Sequence, residues 1–314
     1  MKQLFSLCIV FLSISLFAFG QNKTPQDFGF RHLSLSYQED PVEILIKSKK
    51  GEENLAKPLF LFCEGSLPQP LLKTDGEQAF GVYPFQIPEG LLSRFHLIII
   101  SKPYLPLVAD KKDLGPNFMV LDAEGMAPPK YRQRSHLDYY VQRNIAVLQQ
   151  LATLDWVKPQ PLVIAGHSQG STVAAHLAAR YDKVSHLIYS GGNPAGRIMS
   201  ILAQSRARET DSLPQANQTI NYWKEVIDNA NSLDQPERGD TYKATFDFSK
   251  NLFPKLLNLE IPTLISYGTK DNGAPFNDYL QVESIRQGKK YLSFKAYIGT
   301  EHNYFPVRAD GTPN

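Results

Sequence analysis

Cysteine is nearly absent. The 314-residue chain has two, Cys8 and Cys63, too few for a disulfide framework or a multi-cysteine zinc site. No H-E-x-x-H occurs, and the histidines form no close cluster. Residues 228–234 (DNANSLD) begin like a calcium loop, but Leu233 stands at the sixth position where such a loop needs glycine. There is no P-loop, and no G-x-G-x-x-G follows a strand-like run. No cofactor is therefore expected. The chain also lacks any block of five like charges, and its net charge is only +2, so nothing points to nucleic acid. Internal repeats and low-complexity tracts are missing too. A composition of 42% hydrophobic and 20% charged residues remains, which is that of a globular protein.

The N-terminus differs from the rest. Lys2 precedes an apolar run over residues 4–19, broken only by serines, and Ala18, Phe19 and Gly20 follow at its end. That is the pattern of a secretory signal peptide over residues 1–20, with a mature domain over 21–314. The run is short for a membrane span, so no stable membrane insertion is expected after cleavage. Cleavage removes Cys8 and leaves Cys63 alone. An exported chain of this size without an internal disulfide suits a secreted or periplasmic site in a bacterial envelope.

What is present is alternation. Residues 32–37 and 42–47 read as strands. Residues 58–63 (PLFLFC) and 95–100 (FHLIII) are short continuous apolar runs, which suit strands buried on both faces of a mostly parallel sheet. Residues 137–153 have helical spacing. Pro161 opens a strand ending at Gly166, and a helix follows. Residues 184–190, 262–267 and 291–298 complete the set. Strands alternating with helices predict a three-layer α/β domain. Two spans exceed a simple crossover. Residues 101–136 are proline-rich, and residues 193–260 read as an inserted helical lid, with Tyr222, Trp223, Phe246, Phe248 and Phe253 packing it down or lining an acyl pocket.

The strand-to-helix corner at 166–170 reads Gly-His-Ser-Gln-Gly. A G-x-S-x-G in that setting is a nucleophile elbow. A sharp turn lifts the Ser168 hydroxyl into a cleft, and glycines let strand and helix pass closely. A serine hydroxyl needs a base, and the base needs a carboxylate to orient it. Of seven histidines, His302 lies in the loop after the last apolar strand, where it can reach the cleft. His32, His96 and His136 precede the elbow, His167 adjoins the nucleophile, His176 lies two helical turns on, and His186 is mid-strand. Among carboxylates, Asp271 follows a strand end in a glycine-flanked turn. Asp247, Asp278 and Glu301 compete, and the alternative acid position after residues 184–190 carries Asn193. The oxyanion hole needs two backbone N–H groups. Gln169 supplies one, and Ser66, in the loop after residues 58–63, supplies the other, with Leu67 as alternative.

These residues, in the order Ser168, Asp271, His302, resemble the α/β-hydrolase superfamily from about residue 30 onward, apart from the two long spans. The resemblance implies the α/β-hydrolase fold, with Ser168 as nucleophile, Asp271 as acid and His302 as base. It also implies hydrolysis of an ester, thioester or amide in a small molecule or peptide. Members often have His-Gly where this chain has Glu64-Gly65. A serine peptidase would use the same triad, with Arg132, Arg134 or the lid holding a peptide terminus. A catalytically silent binding protein on the same scaffold is the other alternative.

Overall fold

The computed structural model describes residues 23–76, 78–83, 85–210, 213–235 and 239–308. The signal peptide expected at 1–20 lies outside them. In chain order the elements are β1 (Arg31–Tyr37), β2 (Asp40–Lys47), β3 (Lys57–Cys63), β4 (Leu72–Asp75), β5 (Gln78–Gly81), α1 (Glu89–Arg94), β6 (His96–Ile100), β7 (Val108–Asp110), α2 (Pro129–Arg134) and α3 (Leu137–Leu151). They continue with β8 (Val157–His167), α4 (Gln169–Arg180), β9 (Val184–Ser190), α5 (Arg197–Arg208), α6 (Gln215–Asp228), α7 (Tyr242–Phe248), α8 (Phe253–Leu257), β10 (Thr263–Gly268), α9 (Ala274–Arg286) and β11 (Leu292–Tyr297).

Eight strands form one sheet in the order β1-β2-β6-β3-β8-β9-β10-β11. The six from β6 to β11 are parallel, and β1 and β2 add antiparallel strands at one edge. The continuous apolar runs are explained by two-sided burial. Leu59, Leu61, Ile98 and Ile100 enter the larger core, while Phe60, Phe62, Leu97 and Ile99 enter the smaller one on the opposite face. Edge strands instead alternate. Leu33, Leu35 and Tyr37 of β1 pack inward, as do Leu292, Phe294 and Ala296 of β11, and their neighbours face water. Helices α3, α4, α8 and α9 cover the larger core, and α1 with Leu71 and Leu72 covers part of the other face. No helix among the described residues is long and apolar enough to cross a membrane.

Three features differ from the sequence reading. β8 starts at Val157 rather than beyond Pro161, and its pairing with β3 and β9 shifts register, which tolerates the two prolines of "VKPQP". The proline-rich span 101–136 carries β7 and α2, and β7 joins β4 and β5 in a separate three-stranded sheet. The span 193–260 is helical, with α5 to α8, but it is not all cover. Phe248, Leu252, Leu256 and Leu257 lie in the larger core. Its C-terminal part is therefore a wall of the domain.

The corner after β8 is tightly packed. A Cβ on Gly166 would sit 2.0 Å from the Gly170 carbonyl oxygen, and one on Gly170 would sit 2.0 Å from the carbonyl oxygen of Cys63. Strand β8, helix α4 and the end of β3 thus meet backbone to backbone. Gly170→Ala is expected to destabilise the protein by roughly 1–3 kcal/mol, since neither backbone can yield cheaply. Gly90→Ala in α1 meets nothing within 4 Å and should leave stability level or raise it by up to ~1 kcal/mol. Thermal melts of both variants check this, and equal melting temperatures would contradict it.

Candidate active site

Ser168 sits between β8 and α4 with φ 57° and ψ −125°, a backbone state that costs a non-glycine residue of order 1–3 kcal/mol. Neighbours hold it there. Its N–H donates to the Ser190 carbonyl at 3.0 Å, and its own carbonyl accepts from the Ser171 N–H at 3.1 Å and the Ser171 hydroxyl at 2.6 Å. Two elements bring the other groups. After β10, Asp271 accepts from the Gly273 N–H at 2.9 Å through Oδ1, which leaves Oδ2 facing His302 Nδ1 at 2.6 Å. After β11, the loop carrying His302 is closed by Glu301, whose Oε1 accepts from the N–H groups of Asn303 at 2.7 Å and Phe305 at 3.0 Å. With Nδ1–H given to Asp271, the His302 Nε2 is the nitrogen left for another partner. His302 and Ser168 line the same two cavities.

The electrostatics follow from burial and pairing. Burial disfavours a charged His302, but the hydrogen bond and charge of Asp271 outweigh it, with help from Glu301, and the ring's pKa lies above its ordinary value. Burial likewise opposes the Asp271 carboxylate, yet His302 and the Gly273 N–H keep its pKa below the ordinary value. His167 is a neighbour of a different kind. Its ring centroid lies 5.0 Å from that of His302. Burial first, then the His302 charge, pushes its pKa down to about 4. It is a neutral ring at pH 7, with Nδ1 3.1 Å from Ser190 Oγ and Nε2 3.2 Å from Asn303 Oδ1.

The remaining candidates have other partners. Asp247 pairs with Lys250 at 2.7 Å, and Asp278 accepts from the Tyr267 hydroxyl at 2.5 Å. Asn193 bonds Ser200 and the Ala195 N–H. His32 faces Glu43, His96 lies between Ser48 and the Leu55 carbonyl, His136 caps α3, and His186 contacts Ser185. His176 is buried in α4 with no partner on either ring nitrogen. Arg134 pairs with Asp40 at 2.7 Å and Arg132 donates to Gln235 at 2.7 Å, and neither lines the cavities at Ser168.

Gln169 and Ser66 both border the smaller cavity beside Ser168. The loop passes close over Ser168, for a Cβ on Gly65 would stand 3.7 Å from that of Ser168. Its carbonyls are engaged from behind. Tyr131 donates to the Ser66 carbonyl at 3.2 Å, and the Lys102 ammonium donates to that of Leu67. Glu64 lies beneath the loop. Burial raises its pKa against the pull of Lys102, Arg143 and Lys73, while burial lowers Lys102 to about 8. The Glu64-Gly65 departure is thus tied to a buried cationic cluster.

Two contributors, Tyr304 and Arg197, carry no motif. The Tyr304 hydroxyl lies 2.6 Å from Ser190 Oγ and 2.9 Å from Ser266 Oγ, tying the His302 loop to the ends of β9 and β10. Tyr304 takes a strained φ of 66° to do so. Arg197 of α5 donates to the Gln169 side chain and pairs with Asp240. The only sequence sign of Tyr304 is its place two residues after His302.

No protein-family model matches the chain, and no curated protein is similar to it. Solved structures do match. The 2,6-dihydroxy-pseudo-oxynicotine hydrolase superposes with TM-score 0.52 at 16% identity, over 87% of this chain and 62% of that one. The acylaminoacyl peptidase of Pyrococcus horikoshii gives TM-score 0.54 at 11% identity, over 87% of this chain and 37% of that one. Est1E from Butyrivibrio proteoclasticus gives 0.50 at 15% identity, over 87% and 90%. The chain therefore spans less than two thirds of the first two proteins. At such identities the likeness concerns the fold. Together with the sheet order and the elbow, it shows that this chain has the α/β-hydrolase fold.

Nuclear magnetic resonance titration of the imidazole C–H protons checks the electrostatics. His302 is expected to titrate above ~6.5, the ordinary histidine value, and His167 near about 4. Asp271→Asn removes the groups that raise His302, so its midpoint should move down. A His302 midpoint below 6.5 in the wild type, or an upward move in Asp271→Asn, would contradict this account.

Proposed function

We propose that the protein is an exported serine hydrolase that cleaves an ester or thioester through an acyl-enzyme on Ser168. The observation that carries this reading is a strained serine at φ 57° sharing its cleft with a histidine whose far nitrogen is bound to a half-buried carboxylate at 2.6 Å. Strain of this kind persists where surroundings over-determine it, and it clusters at active sites. A silent scaffold has no use for it.

The chemistry follows from the groups. His302 Nε2 takes the Ser168 proton as Oγ attacks the substrate carbonyl carbon. The oxyanion is held by the N–H groups of Gln169 and Ser66. The imidazolium then gives its proton to the leaving oxygen or sulfur, and the acyl group stays on Ser168. Water, deprotonated by the same His302, attacks the acyl carbon and restores Ser168. Asp271 fixes the Nδ1–H tautomer and stabilises the imidazolium without taking its proton. His167 stays neutral and supports the His302 ring.

The proteins of like fold include a named hydrolase and a named peptidase. The ester reading is favoured because Arg132 and Arg134, the cations that would have held a peptide terminus, are engaged away from the cleft. Export is part of the proposal, supported by the Lys2 and residues 4–19 pattern, and places the enzyme in the periplasm or outside the cell. Helices α5 to α7 are read as the lid, since Arg197 and Ser200 of α5 and Phe248 of α7 border the cavity at Ser168.

Hydrolysis of a chromogenic acetate ester tests the roles. Ser168→Ala and His302→Ala are each expected to lower kcat by on the order of 10⁴–10⁶-fold, and by similar amounts, because the two act as a unit. Wild-type activity should fall as pH drops through the His302 pKa, since only the neutral ring accepts the serine proton. Undiminished turnover in Ser168→Ala would overturn the proposal, and so would an acid limb that follows His167.

A further inference from the structure

Two cavities of unlike size and lining meet at Ser168 and His302. The smaller has a volume of about 90 Å³ and is walled by Thr172, Asn193, Arg197, Ser200 and Phe248. Small-molecule sites are commonly ~300–1,000 Å³, while a single water needs only ~10–15 Å³ on this measure. The smaller cavity thus has room for a few non-hydrogen atoms. It also cannot widen cheaply. Arg197 is tied to Asp240 and to the Gln169 side chain, with its guanidinium 4.9 Å from the Phe248 ring centroid. Asn193 donates to Ser200 Oγ at 2.9 Å and accepts from the Ala195 N–H at 2.9 Å. A long hydrocarbon chain pushed in would break charged and polar pairs and gain little apolar contact.

The larger cleft is different in each respect. It has a volume of about 1030 Å³ and carries the rings of Tyr83, Phe85, Phe118, Tyr304 and Phe305. Phe118 and Phe305 are 39% and 55% exposed, large apolar groups left in water beside the nucleophile. Such exposure at a cleft marks a surface that a ligand covers. The amide side chains of Gln69, Gln86 and Asn117 stand among the rings, with Lys73 beside them, its ammonium donating to Gln69 Oε1 at 3.0 Å and lying 5.8 Å from the Phe118 ring centroid. Aromatic faces with interspersed amides suit a flat, ring-bearing group with polar substituents.

Chain connectivity sets the direction. Asn303, Tyr304 and Phe305 follow His302 and line only the larger cleft of the two. A group lying there leaves beside the residue that donates its proton. Gln169 and Thr172 belong to α4, beyond the nucleophile, and line only the smaller cavity of the two. We infer that the substrate is an ester of a short, acetyl-sized acid with a bulky, ring-bearing alcohol, the acyl group in the Arg197–Asn193–Ser200 pocket and the ring against Tyr83, Phe118 and Phe305. This rests on Ser168 being the nucleophile. The acyl carbon leaves the alcohol oxygen for Ser168 Oγ, the serine proton passes through His302 to that oxygen, and water then releases the short acid.

Two substrate series test it on the wild-type enzyme. Along p-nitrophenyl esters the leaving group is constant, and kcat/KM is expected to fall at least tenfold from acetyl to hexanoyl. Between ethyl acetate and 2-(2-naphthyl)ethyl acetate the leaving alkoxides are of similar basicity, and kcat/KM should be at least tenfold higher for the ring-bearing ester. Phe118→Ala and Phe305→Ala, both at exposed positions, should each lower that second ratio. Hydrolysis that favours hexanoyl over acetyl overturns the acyl assignment. A naphthyl-to-ethyl ratio near one, or one unmoved in both variants, overturns the ring assignment. In each of those cases Ser168 still turns over esters, so the nucleophile reading stands. If no ester of any length is cleaved while a fluorophosphonate still labels Ser168, this inference falls and the nucleophile stands; if Ser168 is not labelled either, both fall.

Discussion

The contact on which the rest depends is the backbone meeting of β3, β8 and α4. Gly166 and Gly170 have no side chain there because no side chain has room, with ideal Cβ positions only 2.0 Å from carbonyl oxygens. That closeness has two effects. It bends the chain so sharply that Ser168 is held at positive φ, with the hydroxyl at the carboxyl end of the sheet. It also brings the loop after β3 over the same serine, so that a Cβ on Gly65 would stand 3.7 Å from that of Ser168 and Ser66 borders the same cavity. Ser168 and the loop at Gly65 and Ser66 are set by one packing constraint rather than by two.

His302 is held by a second set of interactions, largely polar. Asp271 fixes one nitrogen of His302, Glu301 closes the loop behind it, and Tyr304 ties that loop to Ser190 and Ser266 on two strands. His167 completes the arrangement as a buried ring kept neutral by burial and by its charged neighbour. A second cation at that spot would repel a protonated His302. Buried polar groups of this sort are stabilising only when each finds a partner, and here both nitrogens of His167 do.

The elbow was legible in the sequence because all its parts are adjacent in the chain: an apolar strand, two glycines four residues apart, and a helix-forming run. Asp271 and His302 were legible more indirectly, each as a polar residue just past an apolar run, since strand ends in a parallel sheet share one edge. The two-sided burial of β3 and β6 was legible in their unbroken apolar runs. The three-stranded sheet was not, because β4, β5 and β7 are only three or four residues long and β4 pairs with β7 across α1 and β6. Nor was the body role of α8, since Leu256 and Leu257 look like any lid leucines until their packing against the larger core is seen. Tyr304, Ser190 and Ser266 are joined only by tertiary structure, and no spacing announces them. Glu64 read as a departure from a family pattern, whereas its burial beside Lys102 and Arg143 became visible only in three dimensions.

The central claim is that Ser168 is an activated nucleophile. Reaction of the protein with a fluorophosphonate, followed by mass spectrometry of its peptides, tests this without knowledge of the substrate. The account expects one phosphonyl adduct, located on Ser168, and its loss when His302 is replaced by alanine. No adduct on the wild-type protein, or an adduct at another residue with Ser168 unmodified, would contradict it.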